Sequence, residues 1–117
     1  MRRADARGMD EAHYATNAPD RAEVAALRGP VVLEFGTDWC GHCLAARPFV
    51  ERALAGTPGL RHLRIEDGPG RALGRAFRVK LWPTLVFLRD GVELARVVRP
   101  LGVGAIEAAL DRIHAGD

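Results

Sequence analysis

Hydrophobic and polar positions along the chain follow two different repeats, one typical of β-strands and one typical of α-helices. Residues 31–36 form an apolar run interrupted by Glu34, whereas residues 60–65 alternate apolar and charged positions, with Leu63 and Ile65 expected to face the core. The predicted strands are 13–16, 31–36, 60–65, 85–88 and 92–98, and the predicted helices are 20–28, 44–54, 71–77 and 102–114. This β-α-β-α-β-α-β-β-α order predicts an α/β fold with a central mixed β-sheet flanked by helices on both faces.

Turn-forming residues mark the ends of these elements. Asp20 is expected to cap the first helix, and Gly29 with Pro30 is expected to end it. The pair Asp90-Gly91 lies between two apolar runs and predicts a hairpin, so that residues 92–98 return antiparallel. Pro48 lies inside the second helix, where its missing N–H is expected to cause a kink.

The two cysteines of the chain, Cys40 and Cys43, lie at the predicted junction of a strand and a helix. The N–H groups at a helix N-terminus stabilise negative charge, so Cys40 is expected to ionise more readily than a free cysteine. Its thiolate would attack a substrate disulfide, and Cys43 would then attack Cys40 and release the reduced substrate. Gly41 allows the tight backbone, and His42, when protonated, adds positive charge beside the thiolate.

Three other interpretations of the cysteine pair fit the sequence less well. A structural disulfide across so short a loop would constrain the unfolded chain little. A zinc site needs four ligands, and no second ligand pair at suitable spacing accompanies Cys40, Cys43 and His42. Haem attachment requires a histidine directly after the second cysteine, where this chain has Leu44. We therefore expect neither a metal nor an organic cofactor, because the dithiol itself holds two electrons.

Length and composition predict one globular domain. The chain has 117 residues, of which 48% are hydrophobic and 27% charged. We expect a flexible polar tail at residues 1–11 and the domain at residues 12–117. The net charge is only +2 and the arginines are dispersed, which argues against a nucleic-acid partner. No apolar run follows Arg2-Arg3 or is long enough to span a bilayer, so we expect a cytoplasmic protein without a membrane partner.

Four sequence features, in this order and spacing, resemble the thioredoxin superfamily from about residue 13 onward. They are Trp39-Cys40-Gly41-His42-Cys43, Pro48, Trp82-Pro83-Thr84 and Phe87-Leu88-Arg89-Asp90-Gly91. The resemblance implies the thioredoxin fold, with Cys40 as the exposed nucleophile and Cys43 as the more buried resolving thiol. It also implies a cis peptide bond before Pro83, which would turn the backbone N–H and C=O of Trp82 toward an extended substrate strand.

Glu34 stands where this superfamily usually carries a buried acid behind the resolving cysteine. An acid in an apolar strand is costly unless it is neutral or partnered, so we expect a raised pKa and a role in taking the proton from Cys43. The alternative is a Glu34 that faces solvent. His62 falls near a lysine that accompanies the acid in thioredoxins, so it is either a partner of Glu34 or an exposed residue.

Three departures from the usual thioredoxin pattern bear on function. His42 stands at a position that is also histidine in protein disulfide isomerases, and it is expected to make the disulfide more oxidising. Trp82 is larger than the usual residue before the cis-proline and is expected to narrow or reshape the substrate groove. The segment 99–102 lacks the glycine found on the thioredoxin substrate surface.

The predicted function is that of a thiol-disulfide oxidoreductase that reduces or isomerises protein disulfides through a reversible Cys40-Cys43 couple. The candidate catalytic residues are Cys40, Cys43 and Glu34, and the candidate substrate-binding residues are Trp39, Gly41, His42, Trp82 and Pro83. The expected partners of this predicted monomer are disulfide-containing proteins and a thiol reductant, either a reductase or the glutathione system. The alternative is a thioredoxin-like adaptor that binds one partner through Trp39 and Trp82, with thiols that are regulatory or incidental.

Overall fold

The apolar run at residues 30–36 forms a strand in the interior of a four-stranded sheet. The computed structural model describes residues 13–115, so the predicted tail at 1–11 lies outside the described residues. In chain order the elements are α1 (Arg21–Ala25), β1 (Pro30–Gly36), α2 (Gly41–Ala55), β2 (Arg61–Glu66), α3 (Ala72–Ala76), β3 (Thr84–Arg89), β4 (Val92–Val98) and α4 (Gly104–His114).

The sheet is mixed, as the sequence predicts. Its strand order is β2-β1-β3-β4, in which β1 pairs parallel with β2 and antiparallel with β3, and β3 pairs antiparallel with β4. The parallel register places Glu34 opposite Arg64, and the helix α2 connects the two parallel strands. Both predicted properties of the fold, the mixed sheet and helices on its two faces, are confirmed.

Strand β1 is buried on both of its faces because each face packs on a separate hydrophobic core. Val32 belongs to the core under α2 and α4, together with Val50 and Ile106. Leu33 belongs to the opposite core, with Val24 of α1 and Leu73 of α3. Side chains alternate across a strand, so Glu34 and Gly36 share the face of Val32. This face carries the start of α2, and with it the two cysteines.

The β3–β4 connection is the predicted hairpin. Asp90 and Gly91 have φ angles of 51° and 80°, which is the pair of left-handed conformations that a two-residue type I′ turn requires. Gly91 also approaches the end of α1 so closely that an added Cβ would lie 2.1 Å from the carbonyl oxygen of Ala25.

The first helix is capped as the sequence predicts, whereas the first predicted strand is much shorter than expected. Asp20 caps α1 as predicted, and its carboxylate accepts from the N–H of Glu23 while the Glu23 carboxylate accepts from the N–H of Asp20. The predicted strand at 13–16 is reduced to one parallel bridge between Ala15 and Ile65. Within the described residues, no helix has the length and apolar character needed to cross a membrane.

Candidate active site

The cysteine pair lies where β1 leads into α2. Cys40 has extended backbone angles and is the N-cap of α2, and its Sγ accepts a hydrogen bond from the backbone N–H of Cys43 at 3.4 Å. Both cysteines are free thiols in this structure. Cys40 retains 9% of its accessible surface, whereas Cys43 is completely buried. One sulfur is therefore reachable at the helix start, and the other lies one turn behind it.

Cys43 occupies a tightly closed site beneath this helix start. Burial raises the pKa of the Cys43 thiol to about 11, although the backbone N–H of Thr37 and the hydroxyl of Tyr14 partly oppose the shift. Gly36 makes the site possible, since a Cβ there would lie 2.5 Å from the Cys43 sulfur and 2.9 Å from Cζ of Tyr14. Cys43 is thus held as a neutral thiol at neutral pH, and it needs a proton acceptor before it can act as a nucleophile.

Glu34 is completely buried and is fully engaged by three side chains. The Tyr14 hydroxyl donates to Oε2 of Glu34 at 2.5 Å. His62 Nε2 and Arg64 Nε lie 2.9 and 3.0 Å from the other carboxylate oxygen, Oε1. Of the two interpretations that the sequence left for His62, the partner of Glu34 is the correct one.

The expectation of a raised pKa for Glu34 was wrong. Burial on its own does raise the pKa of this carboxyl. However, the hydrogen bond from His62, the positive charges of Arg64 and His62, and the hydrogen bond from Tyr14 together hold the pKa below its ordinary value. The reason is the parallel register of β1 and β2, which places two basic side chains of β2 beside Glu34.

Two tryptophans flank the cysteines. Trp39 is 75% exposed, and its ring meets that of Trp82 in a T-shaped arrangement with centroids 5.8 Å apart. Trp82 also packs against the cluster formed by Tyr14, Cys40 and Cys43, and its Nε1–H donates to a carboxylate oxygen of Asp67 at 2.8 Å. Trp82 is therefore anchored, while Trp39 presents most of its surface to solvent.

The peptide bond between Trp82 and Pro83 is cis. The carbonyl oxygen of Trp82, which the sequence expectation offers to a substrate strand, accepts a hydrogen bond from Nε of Arg99 at 2.8 Å. Arg99 has a φ of 49°, and its backbone N–H donates to the carbonyl of Pro83 at 3.0 Å. An arginine in the backbone conformation that suits glycine thus occupies one of the expected substrate contacts.

The other predicted site residues differ in exposure. Gly41 and His42 are exposed on the first turn of α2, whereas Pro83 is buried. In the same described range, no group of three or more His, Cys, Asp or Glu side chains could hold a metal ion.

Sequence reasoning missed four residues that shape the site: Tyr14, Asp38, Arg64 and Arg99. Tyr14 was expected to be part of a short edge strand, although only 3% of its surface is exposed and its hydroxyl contacts Glu34. The carboxylate of Asp38 accepts from the backbone N–H of Tyr14 at 2.9 Å and also contacts His13. No local sequence pattern could have found Tyr14, because its contact with Glu34 joins residues 20 positions apart in the chain.

A dithiol at a helix N-terminus with a buried carboxylate behind it is the arrangement of a thiol-disulfide oxidoreductase site, and the comparisons with known proteins agree. The profile of the family described as Thioredoxin matches residues 12–112. The chain belongs to the thioredoxin family, and it is a thiol-disulfide oxidoreductase. The family implies disulfide-containing protein substrates and a reductase partner.

Individual relatives support the same assignment. The chain is similar to the reduced form of thioredoxin 2 from Pseudomonas aeruginosa PAO1, with 54% identity and a TM-score of 0.78 over 86% of this chain and 94% of that one. It is 28% identical over 92 residues to a thioredoxin of Mycobacterium tuberculosis, covering 78% of this chain and 79% of the relative. It is 33% identical over 70 residues to a thioredoxin of Chlamydia pneumoniae, covering 60% and 69% respectively.

Proposed function

We propose that the protein reduces disulfide bonds in other proteins, with Cys40 as the nucleophile and Cys43 as the resolving thiol. The observation that carries the proposal is the position of Cys40 at the N-cap of α2, with Cys43 buried directly behind it. A thiolate at Cys40 gains from the unpaired N–H groups of the first helical turn. A buried, protonated Cys43 is protected from side reactions until the mixed disulfide has formed.

The surface around Cys40 is the proposed substrate-binding face. It comprises Trp39, Gly41, His42, Trp82 and Pro83. The exposed ring of Trp39 offers apolar area to a substrate chain, and Trp82 supplies a fixed wall because Asp67 holds its indole. Glu34, which is a carboxylate at neutral pH, is the proposed acceptor for the proton of Cys43.

Reduction is favoured over isomerisation as the main activity, and the reduction potential distinguishes them. Thioredoxins lie at about −270 mV and disulfide isomerases at about −180 mV. We expect a value nearer the thioredoxin end, since buried Cys43 is held as a neutral thiol rather than as a stabilised thiolate. Equilibration with defined dithiothreitol or glutathione ratios at neutral pH, followed by alkylation and mass measurement, gives this value; a potential near that of the isomerases would contradict reduction.

The roles of the two cysteines are tested by serine variants. Cys40→Ser is expected to abolish disulfide reduction, because the attacking sulfur is lost. Cys43→Ser is expected to retain attack and to accumulate mixed disulfides with substrate proteins, because nothing then releases them. Non-reducing electrophoresis after rapid acid quenching detects these adducts, and Cys40→Ser is the matched control. Adducts that form equally on Cys40→Ser would contradict the assigned order of attack.

A further inference from the structure

The hydroxyl of Tyr14 lies between the resolving thiol and the buried carboxylate. It donates to Oε2 of Glu34 at 2.5 Å. The side chain of Tyr14 also packs against Cys43 in one buried cluster, and its hydroxyl lowers the pKa of the Cys43 thiol. The absence of a side chain at Gly36 lets the end of the tyrosine ring and the sulfur converge on one point. Tyr14 therefore contacts both the proton donor and the proton acceptor.

Tyr14 is held in this place from three sides. Its backbone N–H donates to Oδ1 of Asp38, within the loop that leads to Cys40. The next residue, Ala15, pairs with β2 by donating to the carbonyl of Arg64 and accepting from the N–H of Glu66, each at 2.9 Å. The side chain retains only 3% of its accessible surface. The phenol is thus a fixed part of the site and is not a surface residue that happens to reach it.

We propose that Tyr14 relays the proton from Cys43 to Glu34 during release of the substrate. This inference rests on the proposed function. As the sulfur of Cys43 attacks the sulfur of Cys40 in the mixed disulfide, the tyrosine oxygen accepts the proton of Cys43 and passes its own proton to Oε2 of Glu34. The Cys40–Cys43 bond forms, the bond between Cys40 and the substrate sulfur breaks, and the substrate leaves as a thiolate.

The charges around Glu34 complete the step. The proton does not remain on Glu34, because the positive charge of Arg64 and the hydrogen bond from His62 favour the ionised carboxylate, so it returns to solvent. By microscopic reversibility, the same path returns a proton to Cys43 when a reductant opens the disulfide. The titratable groups facing this array from the packed elements are Cys40 and Glu51 on α2, His62 and Arg64 on β2, and Asp38 in the β1–α2 loop.

The experiment separates attack by Cys40 from release by Cys43. The fully reduced protein is mixed with a substoichiometric amount of dithiobis(nitrobenzoate). The first release of coloured nitrothiobenzoate reports attack by Cys40, and the second reports attack by Cys43 on the mixed disulfide. Both phases are followed by stopped-flow absorbance as a function of pH. The variants are Tyr14→Phe, which removes only the hydroxyl, and Glu34→Gln, which keeps the tyrosine but removes the proton acceptor.

We expect both variants to keep the first phase and to slow the second by roughly 100-fold at neutral pH, within the range for a lost general acid or base. The second phase of Tyr14→Phe should then rise with pH and approach the wild-type rate near pH 11, where the Cys43 thiolate forms without a relay. Val50→Ala is the control. Val50 is fully buried on α2, the helix that also carries Cys43, and its truncation lowers stability without removing a polar group.

Several results would overturn the relay. One is a Tyr14→Phe second phase with the wild-type rate and pH profile. Another is a slow second phase in Val50→Ala with the same pH dependence, since this would show that loss of stability alone has the effect. If Tyr14→Phe does not fold, a wild-type second phase in Glu34→Gln has the same meaning. Absence of the first phase in the wild-type protein would instead overturn the proposed function, and the relay with it.

Discussion

Gly36 is the residue on which the closed site around Cys43 depends. It lies at the end of β1, on the strand face that carries Glu34, and the resolving sulfur occupies the space where a side chain would begin. The ring of Tyr14 fills the rest of that space. Any other residue would have to displace one of these two groups, so the position couples the backbone of β1 directly to the chemistry.

Replacement of Gly36 by alanine is expected to lower the free energy of unfolding by about 1–3 kcal/mol, the usual cost of overpacking a buried site. The new Cβ would lie 2.5 Å from the Cys43 sulfur and 2.9 Å from Cζ of Tyr14, and the tyrosine cannot retreat without weakening its hydrogen bond to Glu34. Urea denaturation monitored by circular dichroism measures the change.

The matched control is Gly104→Ala at the start of α4. An added Cβ at Gly104 meets no atom within 4 Å, and its φ is not positive. We therefore expect unchanged stability, or a gain of about 0.4–1 kcal/mol from the reduced entropy of the unfolded chain. Equal losses in the two variants would show that the close contact at Gly36 is not responsible.

The loop between β4 and α4 holds Arg99 in a left-handed backbone conformation that favours glycine. Its φ of 49° costs a residue with a Cβ roughly 1–2 kcal/mol. Its guanidinium offsets part of this by donating to the carbonyl of Trp82. The sequence signalled only that a glycine was missing from this segment, and it did not indicate which group would take its place.

Arg99→Gly is expected to be more stable than Arg99→Ala by about 1 kcal/mol. Both variants lose the hydrogen bond to the Trp82 carbonyl, but only glycine relieves the left-handed backbone. Unfolding midpoints in urea, measured for both variants with the wild-type protein alongside, give the difference. If Arg99→Ala were as stable as Arg99→Gly or more stable, the loop would have to relax to another conformation, and this would contradict backbone strain at Arg99.

For the molecule as a whole, the sequence predicted what depends on local pattern and missed what depends on strand register. A few neighbouring residues are enough to predict the strand β1, the helix after Cys43 and the Asp90-Gly91 hairpin, and all three are present. The partners of Glu34 cannot be predicted in this way, because Arg64 lies 30 positions away and reaches Glu34 only through the β1–β2 pairing. The apolar run indicated that Glu34 would be desolvated, but it did not indicate the charges that compensate for this. The predicted direction of the shift in the Glu34 pKa was therefore wrong.

The charge network around Glu34 also makes the stability of the whole protein depend on pH in the acid range. Because the pKa of Glu34 is lowered from an ordinary value of 4.5, the unfolded chain binds a proton at this residue more readily than the folded chain does. Its contribution to stability is therefore fully present above about pH 4.5 and is lost as the pH falls through the folded-state pKa. Other carboxylates add their own acid dependence, so the contribution of Glu34 has to be obtained as a difference between two proteins.

Glu34→Gln provides that difference, because glutamine has nearly the same shape and no charge. At neutral pH we expect the variant to be less stable by about 1.5–3 kcal/mol, the range for hydrogen bonds to charged groups, since Arg64 and His62 lose an anionic partner. The gap should narrow as the pH falls from 4.5 through the folded-state pKa, because the unfolded wild-type chain takes up a proton at Glu34 before the folded protein does, and the variant has nothing to titrate there. Urea unfolding at intervals from neutral pH downward measures the gap. A gap that stays constant across this window would mean that Glu34 is not held ionised by its neighbours, and that Cys43 faces a neutral acid instead of a base.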